Sequence, residues 1–295
     1  MIKYTIPDSL FPIKLRNILK TELKLSTRLI NHLKNSSGIT LSGQPIRTID
    51  LVRPGDMLVI SWEEACDSPV EPQNIPLHIL FEDDWFLAIN KSSGMPVHPS
   101  HNHHSDTLAN AVQFLFKDRG LTMKIRPINR LDRDTSGVIL FAKHSHAQDQ
   151  IIRLMKCTEV YKEYLGIVEG CFPQRSGTID LPIARKPGSI IERMIDPSGD
   201  KSITHYSTIQ TDGELSLVQF VLETGRTHQI RVHCSANEHP IIGDWLYSTK
   251  PTTLIGRQAL HSHKLRFSHP RNGELLEIDA PLPDDMQTVL KSFHT

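Results

Sequence analysis

The residues best placed to do chemistry lie in the stretch 128–137, Ile-Asn-Arg-Leu-Asp-Arg-Asp-Thr-Ser-Gly, which runs directly into the apolar segment 138–142. Arg130, Asp132, Arg133 and Asp134 crowd two guanidinium and two carboxylate groups into five positions beside a Thr-Ser-Gly turn. A carboxylate where a loop meets a strand is exposed by the loop and held by the scaffold. There Asp132 can act as a nucleophile, a general base or an anionic stabiliser of an electron-poor centre. Each role needs the group ionised and aimed, and an arginine within a few ångströms favours the charged form. Arg130 and Arg133 are neighbours in sequence, but neighbours on an extended segment point apart, so a partner should come from elsewhere in the chain. The same alternation puts Asp132 and Asp134 on opposite sides and argues against a two-carboxylate hydrolase.

A second stretch, 223–233, supplies such a partner. Leu222-Glu223 ends a strand, Thr224-Gly225 turns, and 227–233 begins a helix carrying His228, Gln229 and Arg231. Polar groups at a strand-to-helix turn point into a shared cleft, and a helix N-terminus favours a phosphate or carboxylate. Read alone, Arg226 and Arg231 fit equally well as surface groups, and His228 and His233 as satisfied polar residues. His98, His101, His103 and His104 cluster in a Ser/Asn/Pro loop without cysteine or acid at supporting spacing, so no metal is expected. The four cysteines, at 66, 157, 171 and 234, form no Cys-x-x-Cys pair and are expected to be reduced thiols, with Cys234 alone near the suspected site. No G-x-x-x-x-G-K-[ST] or G-x-G-x-x-G loop occurs, so no nucleotide cofactor is expected either.

These residues need a scaffold. The chain has 295 residues, 38% hydrophobic and 22% charged, which suits a packed core and either two domains or one large domain with a small module. No apolar run reaches the roughly 18 residues of a membrane span, and the N-terminus lacks a signal-peptide layout; a soluble, cytoplasmic protein is expected. Net charge is zero, which does not exclude a local basic patch.

Residues 1–62 read as a separate small module. The stretch 14–24 places Leu15, Ile18, Leu19 and Leu23 on one helical face, and Ser26 offers an N-cap for a helix carrying Leu29, Ile30 and Leu33. Ser36-Ser37-Gly38 stops it, 39–45 reads as a strand entering a turn, and Pro54-Gly55-Asp56 leads into a strand over 57–62. Acidic, proline-containing 63–76 reads as an extended, mobile linker.

From 77 to 295 the pattern is one hairpin-rich unit. Apolar 77–81 and 85–89 flank Glu82-Asp83-Asp84, Asp106 caps a helix ending at Gly120, and a second helix covers 146–156. Strands are expected over 160–168, 204–211, 215–223, 264–268 and 275–278, with Asp212-Gly213 and Asn272-Gly273 as hairpin turns. Several hairpins and few β-α-β units predict an α+β fold with a mixed, mostly antiparallel sheet flanked by helices.

These motifs carry a resemblance. Asn129-Arg130-Leu131-Asp132-x-x-Thr135-Ser136-Gly137, its following strand and Ala142-Lys143 resemble the catalytic motif of the RluA/RluD-type pseudouridine synthases. Residues 224–233 followed by His239-Pro240-Ile241-Ile242-Gly243-Asp244 are similar to that family's later motif. Glu82-Asp83-Asp84 through Asn90-Lys91-x-x-Gly94-x-Pro96-Val97-His98-Pro99 resembles its opening motif, and Lys162-x-Tyr164 its tyrosine strand. The four occur in the family's order between 77 and about 283. Asn129 departs from the family's usual His; it is not the nucleophile, and the change bears on loop packing or substrate fit. Residues 1–62 resemble the S-four-type RNA-binding domain of a small-subunit ribosomal protein. That likeness would set Lys14, Arg16, Lys20, Lys24, Arg28 and Lys34 against phosphates; without it they read as solvated groups on amphipathic helices.

The resemblance implies a pseudouridine synthase that needs no cofactor, because uracil is detached from ribose, rotated and reattached through carbon 5 with no atom lost. Asp132 would attack carbon 1 of the ribose or carbon 6 of the base, or assist glycal formation. Arg231 would pair with it, a link of several kcal/mol where water is excluded. Tyr164 would stack on the uracil and relay the proton removed from carbon 5. Arg130 would hold the target nucleotide out of its helix, an excursion of a few kcal/mol that RNA contacts offset. Lys91, Arg133, Thr135, Arg226, His228 and Gln229 would contact substrate or RNA. The implied partner is structured RNA, large-subunit rRNA first and tRNA as the alternative, acted on by a monomer. A non-catalytic RNA-binding or ribosome-assembly factor that keeps the fold is the competing reading.

Overall fold

A computed structural model describes residues 1–8, 13–62, 68–100 and 103–293. Glu63, Glu64 and Asp67 of the expected linker, together with His101, lie outside the described residues.

The N-terminal elements are β1 (Ile2–Thr5), β2 (Ile13–Lys14), α1 (Leu15–Thr21), α2 (Thr27–Asn35), β3 (Ile39–Leu41), β4 (Gln44–Pro45), β5 (Leu51–Val52) and β6 (Met57–Ile60). Leu15, Ile18 and Leu19 on α1 and Leu29, Ile30 and Leu33 on α2 bury against Ile39, Leu58 and Ile60, forming a core of their own. Ser26 caps α2, its hydroxyl accepting from the Leu29 N–H at 3.2 Å. The helix expected to reach Lys24 stops at Thr21, and Lys24 itself adopts a left-handed φ of 50°.

The larger part holds β7 (His78–Glu82), β8 (Phe86–Lys91), α3 (Leu108–Asp118), β9 (Ser136–Ala142), α4 (Ser145–Lys156), β10 (Tyr161–Glu169), β11 (Ser176–Asp180), β12 (Ile183–Arg185) and β13 (Arg193–Ile195). It continues with β14 (Ile203–Thr211), β15 (Leu215–Leu222), α5 (Gln229–Ala236), β16 (Leu260–Ser268), β17 (Leu275–Asp279) and α6 (Asp284–Lys291). Its nine-stranded sheet runs β11-β14-β15-β10-β16-β9-β8-β7, with β17 on β16. Neighbours are antiparallel except β9 and β16, which meet in parallel through His261–Ser136 and Ser262–Gly137. Two antiparallel lobes are therefore joined by a short parallel seam.

Burial explains the patterns along these strands. On β8 and β9, Leu87, Ile89, Ile139 and Phe141 pack with Leu108, Val112 and Phe116 of α3. Phe86, Ala88, Val138 and Leu140 pack on the other face with Ala147 and Ile151 of α4. Covered on both sides, these strands are apolar at nearly every position, whereas β15 alternates because one face is more open.

The sequence placed the α3 cap at Asp106. The cap is Thr107, in a reciprocal capping box with Asn110, and Asp106 instead pairs with His103 at 2.6 Å. Strand β16 begins four residues before the expected start, and β11, the β12–β13 hairpin and α6 were not anticipated. Glu71 and Gln73 of the expected linker hydrogen-bond to Asn110, at 2.7 Å and 3.1 Å. The Lys24 carbonyl accepts from Gln150 and Arg153 of α4, at 2.8 Å and 2.9 Å. No described helix is long and apolar enough to cross a membrane.

Candidate active site

The seam brings the two chemically suggestive stretches together. Asp132 comes from the loop before β9, and Arg231 from the first turn of α5. Arg231 NH1 lies 2.9 Å from Asp132 Oδ2. The expected contact between residues 99 positions apart is present. Arg231 is almost fully buried, while Asp132 keeps about a quarter of its side chain exposed toward the pocket. Asp132 can therefore meet a substrate without losing its partner.

Arg231 is itself held by Asp244, whose carboxylate accepts from Nε at 2.6 Å and from NH2 at 2.7 Å in a bidentate fork. Burial works against the guanidinium's charge, but Asp244 and then Asp132 outweigh it and raise its pKa. Tyr247 lies under the guanidinium, 5.0 Å from carbon to ring centre, and its hydroxyl meets His228 Nδ1 at 2.8 Å. His228 presents Nε2 3.8 Å from Asp132 Oδ1. His228 is also the left-handed residue that opens α5, with φ 59°, which turns the chain sharply from loop to helix.

A small pocket opens here, lined by Arg130, Asp132, Tyr164, Leu222, Arg226 and His228 among others. Tyr164 forms part of its wall from β10, its hydroxyl bonded to Ser262, and burial pushes the phenol up to about 12. Arg130 is exposed at the rim. Arg133 is exposed and forks onto Asp134 at 3.0 Å, and Arg226 bonds the Lys201 carbonyl at 3.2 Å.

Three residues expected to contact RNA also hold the site together from inside, and two of them, Thr135 and Gln229, line the pocket. Lys91 is buried, and its ammonium donates to the carbonyls of Ser92, Met95 and Arg133 at 2.8, 2.9 and 2.7 Å. Burial drives its pKa down to about 7. Thr135 is buried and accepts from Gln258 Nε2 at 3.2 Å. Gln229 is buried with its amide committed to Arg226, Thr224, Ile203 and Thr204, so it fixes the turn into α5. For Lys91 and Gln229 a long or polar side chain faces backbone groups that would otherwise lie unpaired inside the protein.

Asn129 explains its own presence. Its side chain accepts from the Leu140 N–H at 2.9 Å and donates to the Val138 carbonyl at 3.0 Å, so it imitates a strand neighbour and pins the loop to β9. Gly137, with φ 113°, is required by the seam: a Cβ there would sit 2.1 Å from the Ser262 carbonyl oxygen.

The sequence reading missed Asp244, Tyr247, Arg257 and Asp285. Asp244 stood at the end of a quoted motif, yet no spacing tied an acid in a loop to an arginine on a helix. His103 pairs with Asp106, and His233 bonds Thr204 and the Leu181 carbonyl away from the pocket, both at 2.9 Å.

Comparisons with known proteins agree with this geometry. The sequence profile described as RNA pseudouridylate synthase matches residues 85–236. The Bacillus subtilis protein named uncharacterized RNA pseudouridine synthase YjbO is 39% identical over 92% of this chain and 96% of its own. Ribosomal large subunit pseudouridine synthase D of Haemophilus ducreyi is 36% identical over 82% of this chain and 78% of its own. Among solved structures, human RNA pseudouridylate synthase domain containing 1 superposes with a TM-score of 0.58 at 28% identity, covering 72% of this chain and 86% of that one.

Proposed function

This chain belongs to the RNA pseudouridylate synthase family and is an isomerase of uridine in RNA; from that premise we propose that its substrate is large-subunit ribosomal RNA and that Asp132 carries the reaction. The observation that supports this most directly is the 2.9 Å ion pair between Asp132 and buried Arg231 at an open pocket.

In the reaction the bond from uracil N1 to ribose C1′ breaks and a bond from C5 to C1′ forms. The C5 proton leaves and N1 gains one. Breaking the first bond makes an electron-poor centre, and a fixed carboxylate beside it lowers the barrier by preorganised electrostatics. Attack on C1′, attack on C6 and assistance to glycal formation all use the carboxylate of Asp132, which Arg231 holds at 2.9 Å. Tyr164 offers its ring to the uracil face. Burial holds its phenol above the ordinary tyrosine value, so the hydroxyl meets the uracil protonated and takes part in moving the C5 proton as a relay. Arg130, exposed at the rim, occupies the space a flipped nucleotide leaves. Arg133, Arg226 and His228 meet the flanking RNA.

Residues 1–62 form the S-four-type RNA-binding module on this reading, 63–76 the linker and 77–295 the catalytic domain. The support is a separate core and the exposure of Lys14, Arg16, Lys20, Lys24, Arg28 and Lys34. The ribosomal choice rests on the Haemophilus ducreyi relative and this module. The enzyme works as a cytoplasmic monomer without a cofactor.

Tritium release from 5-labelled uridine in RNA of a strain lacking the protein tests this. Release from large-subunit rRNA is expected. Release from tRNA alone would move the substrate, and release from neither would leave an RNA-binding factor.

A further inference from the structure

Three consecutive residues after Asp132 are anchored by two distant parts of the chain. Lys91, at the end of β8, takes the Arg133 carbonyl at 2.7 Å. Arg257, just before β16, takes the Asp134 carbonyl at 3.1 Å. Gln258 beside it donates to the Thr135 hydroxyl at 3.2 Å. Arg257 is buried, and each of its three guanidinium nitrogens has a partner. NH1 also reaches the carbonyls of Gln258 at 3.0 Å and Leu260 at 3.3 Å, where β16 begins. Nε and NH2 form a fork on Asp285 of α6, at 2.6 Å and 2.9 Å.

We propose that Arg257 and Asp285 are positioning residues for the isomerase: Asp285 fixes the plane of the Arg257 guanidinium, which sets the backbone of the loop that aims Asp132 at Arg231 and the pocket. Both lie beyond residues 85–236, which the family profile matches. The inference rests on the isomerase reading above. A planar guanidinium fits its partners only in one orientation, so what holds the fork also fixes the remaining N–H groups. Displacing a reacting group by about 1 Å can cost about a hundredfold in rate, and a loop held at three successive residues transmits such a displacement directly. Helix α6 keeps its own seat through Met286 and Val289, both buried, so loss of the Asp285 carboxylate leaves the fold in place.

The test uses the full chain with a pseudouridine-free RNA substrate, reading kcat, KM and Tm together. Asp285→Asn and Arg257→Lys are expected to lower kcat about tenfold with KM within about twofold of wild type. Asp285→Glu, which keeps the charge and the fork, should recover most of the rate. Arg119→Lys is the control, because Arg119 forks on Glu82 at 2.6 Å and 2.7 Å without touching the loop. It should leave kcat unchanged whatever it does to Tm. Wild-type kcat in both Asp285→Asn and Arg257→Lys would overturn the inference. So would an Arg119→Lys variant whose kcat falls alongside its Tm in the same proportion. An inactive wild type on every RNA would instead refute the isomerase reading, and this inference with it.

Discussion

Arg231 and Arg257 are built alike and do different things. Each is buried and each forks onto an aspartate through Nε and NH2, leaving NH1 to reach the loop that carries Asp132. Arg231 spends its NH1 on a carboxylate, and Arg257 on three neutral carbonyls. Their aspartates differ as well: Asp244 is sealed from solvent, whereas Asp285 is 40% exposed. The first arginine meets the carboxylate of Asp132 charge to charge, and the second holds the backbone of the loop that carries it. Burial of the supporting acid follows the task, since an electrostatic effect is strongest where water is absent and a geometric one survives beside it.

The comparison can be broken at several points. The largest effect belongs to Asp132→Asn, which keeps the shape and removes the charge. Tritium release should fall by more than about a thousandfold while RNA affinity in a filter assay stays near wild type. Next comes Asp244→Asn, which takes the charged fork from buried Arg231 and leaves it to Asp132. Denaturant unfolding should show a loss of about 3–5 kcal/mol, with kcat down about a hundredfold. Asp285→Asn should cost no more than about 1 kcal/mol in the same experiment, because its pair faces water. Equal stability losses in these two variants would erase the distinction.

Acid sharpens it further. Burial holds His228 below the ordinary imidazole pKa of 6.5, although Asp132 pulls the other way. The folded state thus resists the proton that the unfolded chain accepts, and stability falls as pH drops through 6.5. Below its depressed pKa an imidazolium forms beside Asp132 and competes for the carboxylate, so kcat should decline a few-fold. His228→Phe should flatten that acid limb in a pH–rate profile. Burial works to raise the Asp285 carboxyl, but the Arg257 fork outweighs it and holds the pKa below 3.8. Its stabilisation is present above that value and is lost only as pH falls through the lowered pKa. The Arg257 arm therefore stays intact while His228 titrates. The smallest expected effect is Arg119→Lys, with Tm changed by a few degrees at most and kcat unmoved.

How far the sequence could be read follows from how local each signal is. Apolar runs on β8 and β9 and the Asp-Gly and Asn-Gly turns announced their strands, since side-chain alternation and turn chemistry are short-range. Asp132 and Arg231 were legible because unusual groups stood at element junctions. Lys91 and Gln229 were legible as important, but the buried carbonyls they bind were not, since a side chain that satisfies buried carbonyls has the same composition as one that meets phosphate. Asp285 carried no signal, being one of two acids at the start of a short unanticipated helix. Its partner is 28 residues away, and only the folded chain supplies that distance.

The seam between β9 and β16 has a temporal consequence. Asp132 belongs to the half of the sheet that leaves the ribosome first, while Tyr164 and Arg231 join a half that stays open until the strand beginning at Leu260 has been synthesised. A nascent chain shorter than that has Asp132, Tyr164 and Arg231 but lacks Leu260, which completes the pocket they share. Catalytic competence should thus switch on late in translation, and partial products should be inert toward the RNA around them.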